Sequence, residues 1–406
     1  MAKRRKKRVI KKQSQNKLFP FLLLLLILPI VVLASLKANN LFSLGVSNAI
    51  PTTLSNSKLG VFFLGVPKMV DWKKVVASGP KIINVLDAQL FSDRFAIITE
   101  YKSKYPNGIV ILRIMEKTQG IDYRSWPDAA SAASDYFVKV IKPGLDKIPA
   151  DKKNLINFVT GPNESDNIPN IQDSVANVIW VGKFWETLAP LIRGYGFTPL
   201  IGDISVGNLE VNNLQYLVPA LTAIQKANGA WSYHAYTTYT TSPKDDEFSL
   251  FKYRRFHEYL QKNNPDLSNI PMVLTEVGIV GWQVNGTPEK YQEWLKGFDS
   301  EMQKDTFVLG GTIYQMGDEV SWPTFNIEPI CNWYVSYISG KSLDCGYEAG
   351  NNGTPSISNS LSPTRRPTIA VTPKPTAIPV PDNVFYMIMK IFPFWEKNQY
   401  LPLPKR

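Results

Sequence analysis

Eight short runs of β-branched and other apolar residues recur between positions 58 and 318, separated by longer stretches with helical spacing. The runs are KLGVFFLGV (58–66), KIINVLD (81–87), GIVILRIME (108–116), LINFVT (155–160), TPLIGD (198–203), GAWSYHAY (229–236), PMVLTE (271–276) and GGTIYQMGD (310–318). Most are near-continuous rather than alternating, which is the pattern of parallel strands covered on both faces. Eight strands alternating with helices over about 290 residues match the size and order of a TIM (β/α)8 barrel. A doubly wound open sheet is the structural rival. It calls for a glycine-rich nucleotide loop after an early strand, and FFLGVPKMVDW (62–72) is not one.

The intervening stretches carry helix signals. In SWPDAASAASDYFVKVI (125–141), Ser125 is placed to cap a helix with Pro127 in its first turn. QDSVANVIWVGKFWETLAPLIR (172–193) has apolar side chains at helical spacing, with Pro190 expected as a kink or boundary. Thr287-Pro288-Glu289 opens another helix, with a cap, a pre-set φ and an acid at the positive end of the dipole.

The ends of the chain differ from this body. The formal net charge is +11, but nine Lys and Arg residues lie in positions 1–17, leaving about +2 elsewhere. The body therefore has no basic face for a polyanion, and nucleic acid is excluded as the main partner. Residues 18–36, LFPFLLLLLILPIVVLASL, carry no charge. At about 1.5 Å per residue they reach roughly 28 Å, close to the hydrocarbon thickness of a bilayer. The basic cluster should stay cytoplasmic and the rest be translocated. Residues 18–36 read either as a single-pass transmembrane signal anchor or as a signal peptide cut after a small residue such as Ala34.

Residues 37–57 are a tether and 58–350 the folded body. Residues 351–382 form a Pro/Ser/Thr-rich linker; between 353 and 382, 16 of 30 residues are Pro, Ser or Thr. A short aromatic amphipathic segment, 383–406, ends the sequence; Lys390 and Pro393 interrupt its apolar part. It reads equally as a membrane-surface segment or as one that docks on the body. Cys331 and Cys345, the two cysteines, are a close pair that in an exported protein suggests one disulfide. The two histidines, His234 and His257, lie far from both cysteines, which disfavours zinc.

In such a barrel, function sits where the strands end. The tips present Asp87, Glu116, Glu164, Asp203, His234 with Tyr236, Glu276, and Gln315 with Asp318. Each alone reads as a turn or capping residue; their convergence on one rim is the signal. Glu164 follows the fourth strand and Glu276 ends the seventh, facing positions across the mouth. Paired carboxylates are what retaining glycoside hydrolysis uses, one as proton donor and one as nucleophile.

On VTGPNESD (159–166), SYHAYTTY (232–239) and VLTEVGI (273–279) the body resembles a clan of (β/α)8-barrel retaining glycoside hydrolases. In that clan the catalytic glutamates end strands four and seven, and the resemblance spans residues 58–350. It implies that Glu164 is the acid/base and Glu276 the nucleophile, with no cofactor or metal. It also implies that Asn163 reads the hydroxyl beside the anomeric carbon, that His234 and Tyr236 stand by the nucleophile, and that Arg113 is aimed at it. For His234 a hydrogen-bonded core histidine is the other reading, and for Arg113 a buried pair with Glu116. The clan usually ends strand eight with a tryptophan platform, whereas this chain reads IYQMGD (313–318). Tyr314, Trp322 or Trp282 is expected to substitute, and Trp231, Tyr239, Phe325 and Trp333 supply further aromatics for a carbohydrate cleft.

The expectation is an extracytoplasmic glycoside hydrolase at the cell membrane, or secreted after cleavage, acting on a poly- or oligosaccharide. The alternatives are an inactive barrel that binds or scaffolds glycans, and a metal-dependent barrel hydrolase using Asp203 or Asp318.

Overall fold

The eight apolar runs form eight parallel strands that close on themselves in chain order. They are β1 (Leu59–Phe63), β2 (Ile82–Leu86), β3 (Ile109–Arg113), β4 (Phe158–Thr160), β5 (Pro199–Ile204), β6 (Ala230–Thr237), β7 (Met272–Ile279) and β8 (Val308–Met316). Strand β1 pairs with both β2 and β8, which completes the barrel. The computed structural model of the protein describes residues 53–86, 92–114, 128–167, 169–238 and 242–347. One principal helix follows each strand: α1 (Trp72–Ala77), α2 (Ser92–Lys104), α3 (Ala129–Tyr136), α4 (Val175–Gly194), α5 (Val218–Lys226), α6 (Lys252–Asn263), α7 (Pro288–Met302) and α8 (Cys331–Ser339).

The near-continuous apolar character of the strands has a physical cause that β6 makes plain. Trp231, Tyr233 and Ala235 face outward into the core between sheet and helices. The alternate residues rise through the barrel interior: Ala230 in an apolar floor with Ile82, Ile111, Leu200 and Val273, then Ser232, His234 and finally Tyr236 at an aromatic rim. The floor is sealed by aliphatic side chains, so it is a packed core and not a pore. Above it the interior turns polar, with Asn84, Arg113, Thr160, Asp203, Ser232, His234, Thr275 and Thr312 all buried. A buried polar layer is costly unless its members bond one another, and that expense marks the functional end of the barrel.

The helix signals are met in part. Thr287 caps α7 by accepting from the Lys290 amide at 3.4 Å, with Pro288 in the first turn. For α3 the cap is Asp128, which accepts from the Ser131 amide at 2.8 Å. The expected cap Ser125 and Pro127 lie outside the described residues. Pro190 is no boundary, since α4 continues through it to Gly194.

Cys331 and Cys345 are bonded, with Cα atoms 6.1 Å apart. The Cys345 carbonyl accepts from the Asp71 amide at 2.8 Å, tying the segment after α8 to the start of α1. Among the described residues no helix is long and apolar enough to cross a membrane. Residues 18–36, expected as the anchor, lie outside the described residues, as do the linker and the 383–406 segment.

Candidate active site

The chain reaches Glu164 by a tight exit from β4. The Gly161-Pro162 peptide is cis, and Gly161 has φ 143°. A Cβ there would come within 2.6 Å of the Ile114 carbonyl and 2.9 Å of the Tyr136 hydroxyl, so only glycine fits. Glu164 itself has φ 44° and Asp203 has φ 43°. The left-handed region costs a residue with a Cβ about 1–2 kcal/mol, and such strain gathers at functional sites. On β6, a register shift between Tyr233 and His234 sets His234 opposite Glu276 of β7. Shifts of this kind re-aim side chains at barrel rims.

The two glutamates meet at His234. Its Nδ1 lies 2.9 Å from Glu164 Oε1 and 3.6 Å from Glu276 Oε2. Since one nitrogen touches both, those carboxyl oxygens are at most about 6.5 Å apart, the sum of the two contacts. Glu276 is 7% exposed and both its oxygens face donors: an Arg113 Nη1 hydrogen bond on Oε1 and the Tyr236 hydroxyl at 2.7 Å on Oε2. Glu164 is more open, with 22% of its side chain exposed.

Arg113 is the hub of the polar layer. Besides Glu276 it donates to Asn163 Oδ1 at 2.9 Å, approaches His234 Nε2 at 3.3 Å and pairs with Asp203 Oδ2 at 3.2 Å. Its guanidinium lies over the Phe62 ring, 4.9 Å from the centroid. A guanidinium only donates, so in the neutral form of His234 the ring proton sits on Nδ1, facing Glu164. Holding the Asn163 carbonyl oxygen leaves that residue's amide NH2 as the donor it can offer a ligand.

Charge follows the geometry. Burial works against ionising Arg113, but Asp203 and Glu276 outweigh it and raise its pKa. Burial likewise opposes the Asp203 carboxylate, yet Arg113, His234 and the hydroxyls of Thr275 and Ser232 hold it below the usual range. Asp203 accepts from Thr275 at 2.6 Å, Ser232 at 2.7 Å and Thr160 at 3.0 Å. Burial pulls the His234 imidazole down, while Glu276, Glu164 and Asp203 prevail and raise it. Burial and the Glu276 charge both push the Tyr236 and Tyr314 phenols well above their ordinary value.

The rim is aromatic. Tyr314 packs edge-on against Phe62, Tyr236, Trp322 and Phe325. Of the three expected tryptophan substitutes, Tyr314 and the half-buried Trp322 stand in this rim. Trp282 does not. It is 2% exposed, stacked on Tyr291 with centroids 4.7 Å apart, and its indole N–H is directed at the Phe325 carbonyl. Trp231 faces the helices, and Trp333 stacks on Tyr337 within α8; neither reaches the mouth. Asp87, Glu116 and Tyr239 lie outside the described residues.

Gln315 and Asp318 bond each other and cap their own turn: Gln315 Nε2 donates to the Asp318 and Trp322 carbonyls, and Asp318 Oδ1 accepts from the Val320 and Ser321 amides. With Asp203 committed to Arg113 and three hydroxyls, neither aspartate is set up as a metal ligand. Among the described residues no group of three or more His, Cys, Asp or Glu is arranged to hold a metal ion. Sequence reasoning missed Phe62 under the guanidinium, and Asn167, whose Nδ2 donates to Glu164 Oε2 at 3.2 Å.

No protein-family model and no curated protein matches the chain. Among solved structures it is similar to a broad-specificity endoglucanase from an uncultured bacterium, at 14% identity over 68% of this chain and 86% of that one, with a TM-score of 0.44. It is also similar to the trimodular endo-β-1,4-glucanase B of Bacillus halodurans, at 13% identity over 71% of this chain and 60% of that one, TM-score 0.45. A third is an endo-β-mannanase/endo-β-glucanase of Prevotella bryantii, at 14% identity over 70% and 50%, TM-score 0.43. The eight-stranded parallel barrel itself fits the clan that the sequence resembles.

Proposed function

We propose that the protein is a retaining glycoside hydrolase that cleaves O-glycosidic bonds of a poly- or oligosaccharide outside the cytoplasm. The observation that carries the reading is the approach of Glu164 and Glu276 to one imidazole, which limits the nearest known pair of their oxygens, Glu164 Oε1 and Glu276 Oε2, to about 6.5 Å. Retention needs carboxyls about 5–5.5 Å apart, and inversion roughly 6.5–9.5 Å, to admit a water. The contact limit embraces the first range and only touches the second.

In the first step Glu276 Oε attacks the anomeric carbon as the bond to the leaving oxygen breaks and Glu164 gives that oxygen its proton. The sugar is left esterified to Glu276. In the second step water attacks the same carbon, Glu164 takes its proton, and the ester bond to Glu276 breaks, returning both side chains to their starting forms. Arg113 and Tyr236 hold the carboxylate of Glu276 in place, and the NH2 of Asn163 is free to bond the hydroxyl beside the reacting carbon as charge develops there. Tyr314 and Trp322 offer the sugar an aromatic wall.

The Cys331–Cys345 bond supports a location in an oxidising compartment. Residues 18–36 then serve as the membrane anchor or as a cleaved signal. Cell fractionation with an antibody to the body separates these two.

The test of function is a panel of aryl glycosides assayed with the wild type, Glu164→Gln and Glu276→Gln. Loss of turnover in Glu276→Gln, and product released with unchanged anomeric configuration by the wild type, support the reading. Variants as active as the wild type on every accepted sugar overturn it, and sugar binding without turnover by the wild type points instead to a glycan-binding barrel.

A further inference from the structure

One buried acid beside the site has no part in the chemistry above. Asp166, two residues after Glu164, is fully buried. It accepts from the Ser205 amide at 3.2 and 3.1 Å, from Ser205 Oγ at 3.0 Å and from Asn208 Nδ2 at 2.8 Å. Both of those donors in turn hold Asn167. Ser205 Oγ accepts from Asn167 Nδ2 at 2.8 Å, and Asn208 Nδ2 donates to Asn167 Oδ1 at 2.9 Å. Gln172 Nε2 bonds Asn208 Oδ1 at 2.7 Å, which fixes the turn of that amide as well.

An amide has two faces that look alike in shape but not in chemistry. With Oδ1 of Asn167 against Asn208 and Nδ2 against Ser205, only one orientation satisfies both partners. That orientation also aims Nδ2 at Glu164 Oε2, 3.2 Å away. The loop after β4 and the loop after β5 are thereby locked together, and Glu164 is held at one oxygen by Asn167 and at the other by His234.

We propose that Asp166 is a positioning residue for Glu164: through Ser205 and Asn208 it fixes the amide of Asn167, and Asn167 fixes the carboxyl that serves the leaving group. The inference rests on the assignment of Glu164 as the acid/base. Burial and the charge of Glu164 push Asp166 up to about 6, against the bonds from Asn208 and Ser205, so the lock carries its negative charge only above that range. Glu164 on the same loop and Tyr233 on β6 act on Asp166 itself, while His234 and Tyr236 on β6 and Tyr314 on β8 act on Glu164, with Glu276 and Asp203 behind His234.

A misplaced proton donor hurts most where the leaving oxygen most needs a proton. The experiment uses the full chain and two aryl glycosides of a sugar it accepts, one with phenyl and one with dinitrophenyl as leaving group. Asp166→Asn and the half-buried Asn167→Ala are each expected to lower kcat/KM on the phenyl glycoside by about 10- to 100-fold, and on the dinitrophenyl glycoside by less than about threefold. In the wild type the ratio between the two substrates should also change across about pH 6, and Asp166→Asn should remove that change. A general packing defect would lower both substrates together. If Glu164→Gln loses the wild-type ratio while both variants keep it, the proposal is overturned and the acid/base assignment stands. If Glu164→Gln itself keeps the ratio, the assignment fails and the proposal with it.

Discussion

The Tyr236 hydroxyl donates to Oε2 of Glu276 at 2.7 Å, with both side chains buried at the barrel mouth. A hydrogen bond to a charged group contributes about 1.5–3 kcal/mol, which corresponds to roughly 10- to 150-fold in rate if it is realised in the transition state. Tyr236→Phe keeps the ring that packs on Tyr314 and Phe325. The variant should therefore lose about 10- to 100-fold in kcat with little change in KM, and it should also lose about 1.5–3 kcal/mol of stability, because the same bond holds a buried carboxylate in the resting protein. Steady-state kinetics and a thermal melt check it, and an unchanged kcat would remove Tyr236 from the support of the proposed nucleophile.

Asp203 is expected to matter as much to stability as to chemistry. It is one of two buried counter-ions of Arg113, beside Glu276, and accepts three hydroxyl hydrogen bonds. Its removal leaves Arg113 with Glu276 alone and three buried hydroxyls short of an acceptor, and breaking a buried pair costs about 3–5 kcal/mol. Asp203→Ala should lower the unfolding free energy by that amount in a denaturant titration at neutral pH. A loss below about 1 kcal/mol would mean that Arg113 finds adequate solvation without it.

The two histidines give a direct reading of the site's electrostatics. Burial lowers the pKa of His257, which stacks on Phe307. For His234, burial is outweighed by Glu276, Glu164 and Asp203, and its pKa is raised. The two imidazole resonances should titrate on opposite sides of the ordinary value of 6.5, with His257→Gln identifying which is which. The sign for stability follows. A raised folded-state pKa contributes stability that is fully present below the unfolded value and is lost as pH rises through the folded one. Stability from His234 should thus decline on the alkaline side of 6.5, and Glu164→Gln should weaken that decline.

Much of this was legible in the sequence, and the residues show why. The eight apolar runs were visible because parallel strands bury both faces. Glu164 and Glu276 stood out because one follows such a run and the other closes one, although β7 continues to Ile279, so Glu276 lies within its strand and reaches the site through the shift in register beside His234. Arg113 was legible only through the resemblance, since its run was read on to Glu116; the strand in fact ends at Arg113, which puts that side chain at the mouth. Asn167, Ser205 and Asn208 were not, because loop polarity has no period and only the closed barrel brings the β4 and β5 loops together. Trp282 misled because it follows β7 immediately, where a loop aromatic faces solvent by default; a short helix, Trp282–Asn285, turns it inward instead.

That correction yields a pair of opposite outcomes for two tryptophans on neighbouring loops. Trp282 is packed against Tyr291 and bonded to the Phe325 carbonyl, so its truncation leaves a cavity. Trp282→Ala should cost about 3–5 kcal/mol of stability. At temperatures where the variant is folded, its KM should stay near the wild-type value. Trp322 is half-buried in the rim against Tyr314 and Phe325. Trp322→Ala should lose far less stability and raise KM several-fold, because what it removes is surface offered to the sugar. A denaturation curve and a substrate titration on each variant decide the matter. If Trp282→Ala instead raises KM without loss of stability, its indole faces the cleft after all.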